Sequence, residues 1–142
     1  KESKISLHKA DLAYTQVLAF AGASLKRDAV DKRVSNETKN GNYTYKGSNG
    51  STNGFIDTQA DVGGWPEYTA TGDELANAKD TDGDGIPDWF EDKAGMDKSS
   101  MTDGFAKTLD KYGRYTNLEM YLHYLVKSIV TSQNGNGTYT KL

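Results

Sequence analysis

Between Asp80 and Glu91 the chain reads Asp-Thr-Asp-Gly-Asp-Gly-Ile-Pro-Asp-Trp-Phe-Glu, which puts five carboxylates in twelve residues. Like charges at that density repel one another unless a cation or solvent offsets them. The spacing favours a cation. Asp80, Asp82 and Asp84 alternate, so a looping chain turns all three inward. Gly85 permits the sharp turn that such a loop needs. A solvated acidic turn would account for the charges, but not for Gly85 or for the placement of Glu91.

The pattern D-x-D-x-D-G followed after five residues by Glu is that of an EF-hand calcium loop. Calcium takes six to eight hard oxygens at about 2.3–2.6 Å. The expected ligands are Asp80, Asp82 and Asp84, the backbone carbonyl of Ile86, Asp88 through a water, and both carboxylate oxygens of Glu91. Pro87 has no N–H with which to pair this loop to a second one, and it suits the first turn of a helix. Only 73–79 is available as an entering helix. The loop is therefore expected to be solitary and its calcium structural. A sensor opens a helix pair over a Met-rich groove, and this chain has three Met. A second loop near Asp110 is not expected, because Tyr112 and Arg114 stand where Asp is needed.

Composition says what such a loop must help to hold. Leu, Ile, Val and Phe number 24 of 142 residues, below the roughly 20% under which disorder becomes a concern. Disorder also calls for a large net charge, and here it is −3. Nine Tyr and two Trp add area to bury. The expectation is a folded, core-poor unit that leans on a metal, a partner or a larger parent. An acidic chain without a basic stripe is not expected to bind nucleic acid. The longest apolar run, 17–23, is too short to span a membrane. With no Cys there are no disulfides and no thiolate chemistry. The first residue is Lys1 rather than Met, as expected of a processed product or a piece of something longer.

Periodicity predicts a helix over about 7–24, with Ser6 as N-cap and Tyr14, Val17, Leu18, Ala21 and Leu25 on one face. A second is predicted over 26–39, stopped by Asn40-Gly41. Lys26, Arg27, Asp28 and Asp31 read as a solvated helix face. Residues 40–54 read as a loop or loose hairpin around Tyr43-Thr44-Tyr45. Residues 55–68 read as extended. A short helix is predicted from Pro87 to Ala94, stopped at Gly95. The capping box Thr116-x-x-Glu119 opens the last helix, with Leu118, Leu122, Leu125, Val126 and Ile129 as its apolar face. Residues 133–142 read as a frayed tail. His8 and His123 read as ordinary helix-face residues. No nucleophile-elbow context surrounds any Ser.

Four segments together resemble a known family. Ala21-Gly-Ala-Ser-Leu-Lys-Arg27-Asp28-Ala-Val30-Asp31-Lys-Arg33-Val is similar to a segment late in bacterial pectate lyases of polysaccharide lyase family 1. Asp57-Thr-Gln-Ala-Asp-Val62-Gly-Gly-Trp65-Pro-Glu67-Tyr resembles the next one. Asp80 to Glu91 and Tyr115-Thr-Asn-Leu-Glu-Met-Tyr-Leu complete the order, as in such lyases from Bacteroidetes. The resemblance runs from about 13 to 130. Lys26 stands where Pro is frequent, and the 40–54 loop is longer than expected.

The resemblance implies a catalytic core built as a right-handed parallel β-helix, with catalytic calcium and a basic residue that removes the C5 proton of a uronate for β-elimination. This chain has no run of short strands for such coils. No catalytic residue can therefore be carried onto it. The expected fold is mainly α with long extended and loop segments, a helical C-terminal cap of the β-helix holding a solitary calcium loop. Residues 1–79 would wrap or cap the β-helix, 80–132 would carry the loop and last helix, and 133–142 would be a flexible tail. The expected partners are the upstream β-helix domain, in the same polypeptide or a companion chain, and pectic polysaccharide. The expected location is secreted, periplasmic or at a bacterial cell surface. Two other readings stand beside this one. The chain could be a calcium-dependent interaction module of the dockerin or thrombospondin type-3 sort, or a carbohydrate-binding module that uses Trp65, Tyr68, Trp89, Tyr112 and Tyr115.

Overall fold

The structure, a computed structural model, describes residues 4–141. The first three residues and Leu142 of the expected end segments lie outside the described residues. The chain is mainly helical and divides into two compact units, Lys1–Glu67 with Ser128–Leu142, and Tyr68–Lys127.

In the first unit, strand β1 (Lys4–Leu7) precedes helix α1 (Ala10–Phe20). The helix is shorter than its apolar periodicity predicts. Ser6 belongs to the strand, and the N-cap is Lys9, whose side chain makes no capping bond. At the other end the guanidinium of Arg27 donates through Nη2 to the carbonyls of Leu18 (2.9 Å), Ala19 (3.2 Å) and Ala21 (2.8 Å). The C-cap residue is Ala21, and the Arg27 side chain covers the last carbonyls of α1 rather than lying on a solvated face, a favourable place for a cation.

Helix α2 (Ala29–Asn40) begins later than predicted because Asp28 caps it. The Asp31 amide donates to Asp28 Oδ1 at 2.8 Å, and the Asp28 amide donates back to Asp31 Oδ2 at 3.4 Å. Gly41 ends the helix in the left-handed region, at φ 63°. The Tyr14 hydroxyl donates to the Lys39 carbonyl at 3.2 Å and ties α1 to α2. Neither helix has a buried residue.

The loop beyond α2 forms no strand at Tyr43–Tyr45. It is organised around two carboxylates instead. Asp57 accepts from the Asn49 amide (2.6 Å) and the Ser51 hydroxyl. Asp61 accepts from the amides of Ser48 (3.2 Å), Asp57 (2.8 Å) and Thr58 (3.0 Å). A 3-10 turn, Gln59–Val62, interrupts the predicted extended stretch. The predicted frayed tail holds strand β2 (Thr138–Lys141), antiparallel to β1 with Leu7 opposite Thr138 and Lys4 opposite Lys141. Residues so far apart in sequence give no local sign that they will pair.

The second unit holds α3 (Asp73–Asn77), α4 (Asp88–Ala94) and the start of α5 (Asn117–Gln133). Pro87 is the N-cap of α4, and Gly95 closes it at φ 71°. The predicted capping box opens α5. The Thr116 amide donates to Glu119 Oε2 at 2.7 Å, and the Glu119 amide donates to Thr116 Oγ1 at 3.2 Å.

The core lies against the acidic loop. Among the described residues Ile86 and Phe90 are its buried apolar side chains. The Phe90 ring stands 4.9 Å from Tyr121 and 5.2 Å from Tyr124, centroid to centroid, and Trp89 meets Phe90 edge-on at 5.7 Å. Tyr121 and Tyr124 make this packing; of the predicted apolar face Leu118, Leu125, Val126 and Ile129 are half-buried and Leu122 is 51% exposed. The Trp89 indole N–H donates to the Asn77 carbonyl at 2.9 Å. Trp89 is a packing residue with a satisfied polar tip, as buried indoles usually are.

Candidate metal centre

The loop from Asp80 is shaped by its own carboxylates. Asp80 accepts from the amides of Gly83 (2.7 Å) and Gly85 (2.9 Å). Asp82 accepts from the Asp84 amide at 3.2 Å, and Asp84 Oδ1 from the Ile86 amide at 2.7 Å. Gly83 and Gly85 both have positive φ, 79° and 94°, which a side chain at either position would resist. The fully buried Ile86 side chain anchors the loop beneath the turn.

These bonds leave other oxygens free. Asp82, Asp84, Glu91 and Asp103 each bring one carboxylate oxygen to a common point, all within 4.8 Å of one another. Glu91 is completely buried, and neither of its carboxylate oxygens has a hydrogen-bond partner. Asp82 Oδ2, Asp84 Oδ2 and Asp103 Oδ1 are equally buried and unpartnered. Burial pushes the Glu91 carboxyl up to about 7, helped by the charges of Asp82, Asp84, Asp103 and Asp88. Asp84 is also raised, by burial first, against the pull of the Ile86 amide.

A buried carboxylate without a donor is costly, and four together are costlier. A divalent cation relieves both penalties. Calcium ligands at about 2.3–2.6 Å from the ion lie about 5 Å apart at most, across the ion. The 4.8 Å spread of the four oxygens fits within that limit.

Of the six residues read from the loop pattern, the structure gathers Asp82, Asp84 and Glu91 at this point. Asp80 is engaged with the two glycine amides. Asp88 is held away by other partners. Lys79 Nζ donates to its Oδ2 at 2.6 Å, and Thr81 donates its amide to Oδ1 and its hydroxyl to Oδ2, both at 2.8 Å. The Lys79 ammonium, followed by the Thr81 bonds, lowers the Asp88 carboxyl to about 2.

Asp103 is the member that motif reading does not reach. It lies beyond α4, in a turn closed by the Ser100 amide on the Asp97 carbonyl (2.9 Å) and the Asp103 amide on the Ser100 carbonyl (3.0 Å). Its Oδ2 accepts from the Asp97 amide at 3.0 Å, which leaves Oδ1 for the cluster. Two neighbours set its place. Gly104 is buried against Asp84, and a Cβ there would strike Asp84 Oδ2, with Cγ only 2.8 Å away. Asn117, fully buried at the start of α5, donates through Nδ2 to the Asp103 carbonyl at 2.8 Å. It also accepts from the Leu109 amide at 3.0 Å. Gly104 and Asn117 are the sequence signals that could have pointed here, but neither sits at a motif spacing.

The Asp110 stretch is built differently. Asp110 accepts from the amides of Arg114 (2.8 Å), Tyr112 (3.2 Å) and Tyr115 (3.3 Å), with the Arg114 guanidinium 3.7 Å away. Its carboxylate is used within its own turn.

The four-carboxylate point thus has the donor set of a site for a hard divalent cation. Comparison with known proteins adds the wider context. The chain is similar to proteins described as "Probable pectate lyase C" from Aspergillus flavus and Aspergillus oryzae, at 36% identity over 118 residues, 83% of this chain. The protein of the same description from Aspergillus fumigatus is 36% identical over 116 residues, 82% of this chain. In each case the chain spans only 24% of the relative's length. The likeness supports a pectate-lyase-like relationship. No family model matches the chain, and no solved structure matches it. Among the described residues no helix is long and apolar enough to cross a membrane.

Proposed function

We propose that this chain is a calcium-binding, structure-stabilising part of a secreted pectate-lyase-like polysaccharide lyase. The β-elimination of polygalacturonate is carried out by a β-helix outside this chain. The observation that carries the metal role is Glu91, fully buried with both carboxylate oxygens unpartnered, beside Asp82 and Asp84. Within the loop, these three supply the charge for calcium, Asp80 shapes the turn through Gly83 and Gly85, and Ile86 offers its carbonyl. The ion staples the loop and is not the catalytic calcium.

The similarity to a quarter of each "Probable pectate lyase C" supports the parent enzyme. The surface of α1 and α2 supports an upstream partner domain. Tyr14, Val17 and Val34 are 49–59% exposed there, on helices without a fully buried residue. A cap on the last coil of a solenoid needs such an apolar face. An extracellular polysaccharide substrate implies secretion, a periplasmic place or the cell surface. The bacterial origin rests on the four sequence segments, since the relatives above are fungal. The dockerin reading gains nothing from the Asp110 turn, whose carboxylate is taken by amides.

The test is a thermal melt of the full-length protein with calcium and with chelator, for the parent and for Glu91→Gln. Calcium should raise the parent's melting temperature. Glu91→Gln should abolish that rise, and its chelated form should melt no lower than the chelated parent, because the substitution removes a buried charge. Identical melts with and without calcium for the parent would sink the stapling role.

A further inference from the structure

We infer that Asp103, from outside the twelve-residue loop, is a direct ligand of the cation, and that Asp88 is not. The inference rests on the calcium reading above and deepens it. An EF-hand pattern closes its ion with residues of a single loop. Here the fourth carboxylate at the common point comes from the 97–104 turn, twelve residues beyond Glu91.

Three independent features converge on that assignment. Asp103 divides its oxygens, giving Oδ2 to the Asp97 amide and leaving Oδ1 buried without a partner beside Glu91. Gly104 is the residue that permits the approach, because any side chain there would collide with the Asp84 carboxylate. Asn117 holds the Asp103 carbonyl from the first residue of α5. Asp88 shows the converse. Both of its oxygens are taken, by the Lys79 ammonium and by two groups of Thr81, and it stands outside the gathered set.

The consequence is a change in what the ion does. A self-contained loop would bind calcium whatever the rest of the chain did. With Asp103 as a ligand, the ion ties the loop to the 97–104 turn and, through Asn117, to the start of α5. Asn117 is then a positioning residue for the site, and affinity for calcium reports that the turn is closed.

The experiment compares the full-length parent with Asp103→Asn, Asp88→Asn and Glu91→Gln. Calcium affinity is measured by calorimetry, and the number of waters on bound terbium by its luminescence lifetime in light and heavy water. Losing a charged ligand should weaken calcium by about tenfold or more, whereas losing a carboxylate outside the shell should cost less than about threefold. Asp103→Asn should therefore weaken binding and change the water count on terbium, with Asp88→Asn close to the parent in both. Asp103→Asn at parental affinity, with Asp88→Asn weakened, would overturn the inference and leave the calcium-staple function standing. A parent that binds neither ion would overturn both. Should Asp103→Asn fail to fold, the carboxyl carbon resonance of Asp103 in the parent decides. Its shift on adding calcium should match those of Asp82 and Glu91, and a shift no larger than that of Asp88 would sink the assignment.

Discussion

Single residues carry unusual weight in a unit with so little apolar core. Gly104 is needed for room rather than for backbone freedom, since its neighbour is the Asp84 carboxylate. Gly104→Ala should cost about 1–3 kcal/mol in the calcium-loaded protein, as overpacking of a tight site does. It should weaken calcium too, because the methyl drives Asp84 and the 103–104 segment apart. Denaturant melts and calorimetry check both effects. Asn117 is the other such residue. Removing its amide leaves the Asp103 carbonyl and the Leu109 amide without it. Asn117→Ala should destabilise the second unit by about 1–3 kcal/mol for each buried group left unsatisfied. Preserved stability in that variant would show that water replaces the side chain at no cost.

At the scale of elements, the ends of helices decide where structure starts and stops. Asp28 and Asp31 hold the first turn of α2 in a reciprocal pair. Asp28→Ala should lower stability by about 1 kcal/mol, visible as loss of amide protection in that turn. The 47–61 loop depends on charge instead. Asp61 has its carboxyl lowered from the ordinary 3.8 to about 2, by Ser48 first and then by the amides of Thr58 and Asp57. A group lowered on folding binds its proton more readily in the unfolded chain, so its contribution is complete above about 3.8 and is lost as pH falls to about 2. The Ser48, Asp57 and Thr58 amides should therefore keep their protection at pH 5 and lose it near pH 2. Asp61→Asn should lose it at both, by amide exchange followed with NMR. The Lys26 to Asp31 stretch shows why such roles are hard to see in advance. It has the composition of a solvated face, yet Arg27 and Asp28 each complete a helix end.

At the scale of the whole molecule, the buried apolar side chains among the described residues lie in one place. Ile86 and Phe90 pack beneath the acidic loop, while α1 and α2 hold no fully buried residue. The second unit should therefore respond first when calcium is removed. Chelation of the full-length protein should expose the Ile86 and Asn117 amides to exchange, and the α2 amides should keep their protection. Equal loss in both would show that the ion supports the entire chain.

What the sequence by itself determined is what short stretches of chain can settle. The alternating carboxylates and Gly85 specify the loop, Gly41 and Gly95 end two helices, and Thr116 with Glu119 begins a third, since each acts on groups within a few residues. The helix that carries the aromatic partners of Phe90 is legible in the sequence, and so is most of its apolar face: Leu118, Leu125, Val126 and Ile129 are half-buried and only Leu122 of that face is exposed. Tertiary structure alone decided the rest. It pairs residues 4–7 with 138–141, and it selects Asp103 over Asp88 for the gathered carboxylates. Lys79 and Thr81 are near Asp88 in sequence, but only a folded turn aims them at its oxygens. The Asp103 position needs Gly104 against Asp84 and Asn117 against the Asp103 carbonyl at once. A carboxylate whose place depends on contacts between separate segments has no spacing to read, because the chain between them can take any path until those contacts close.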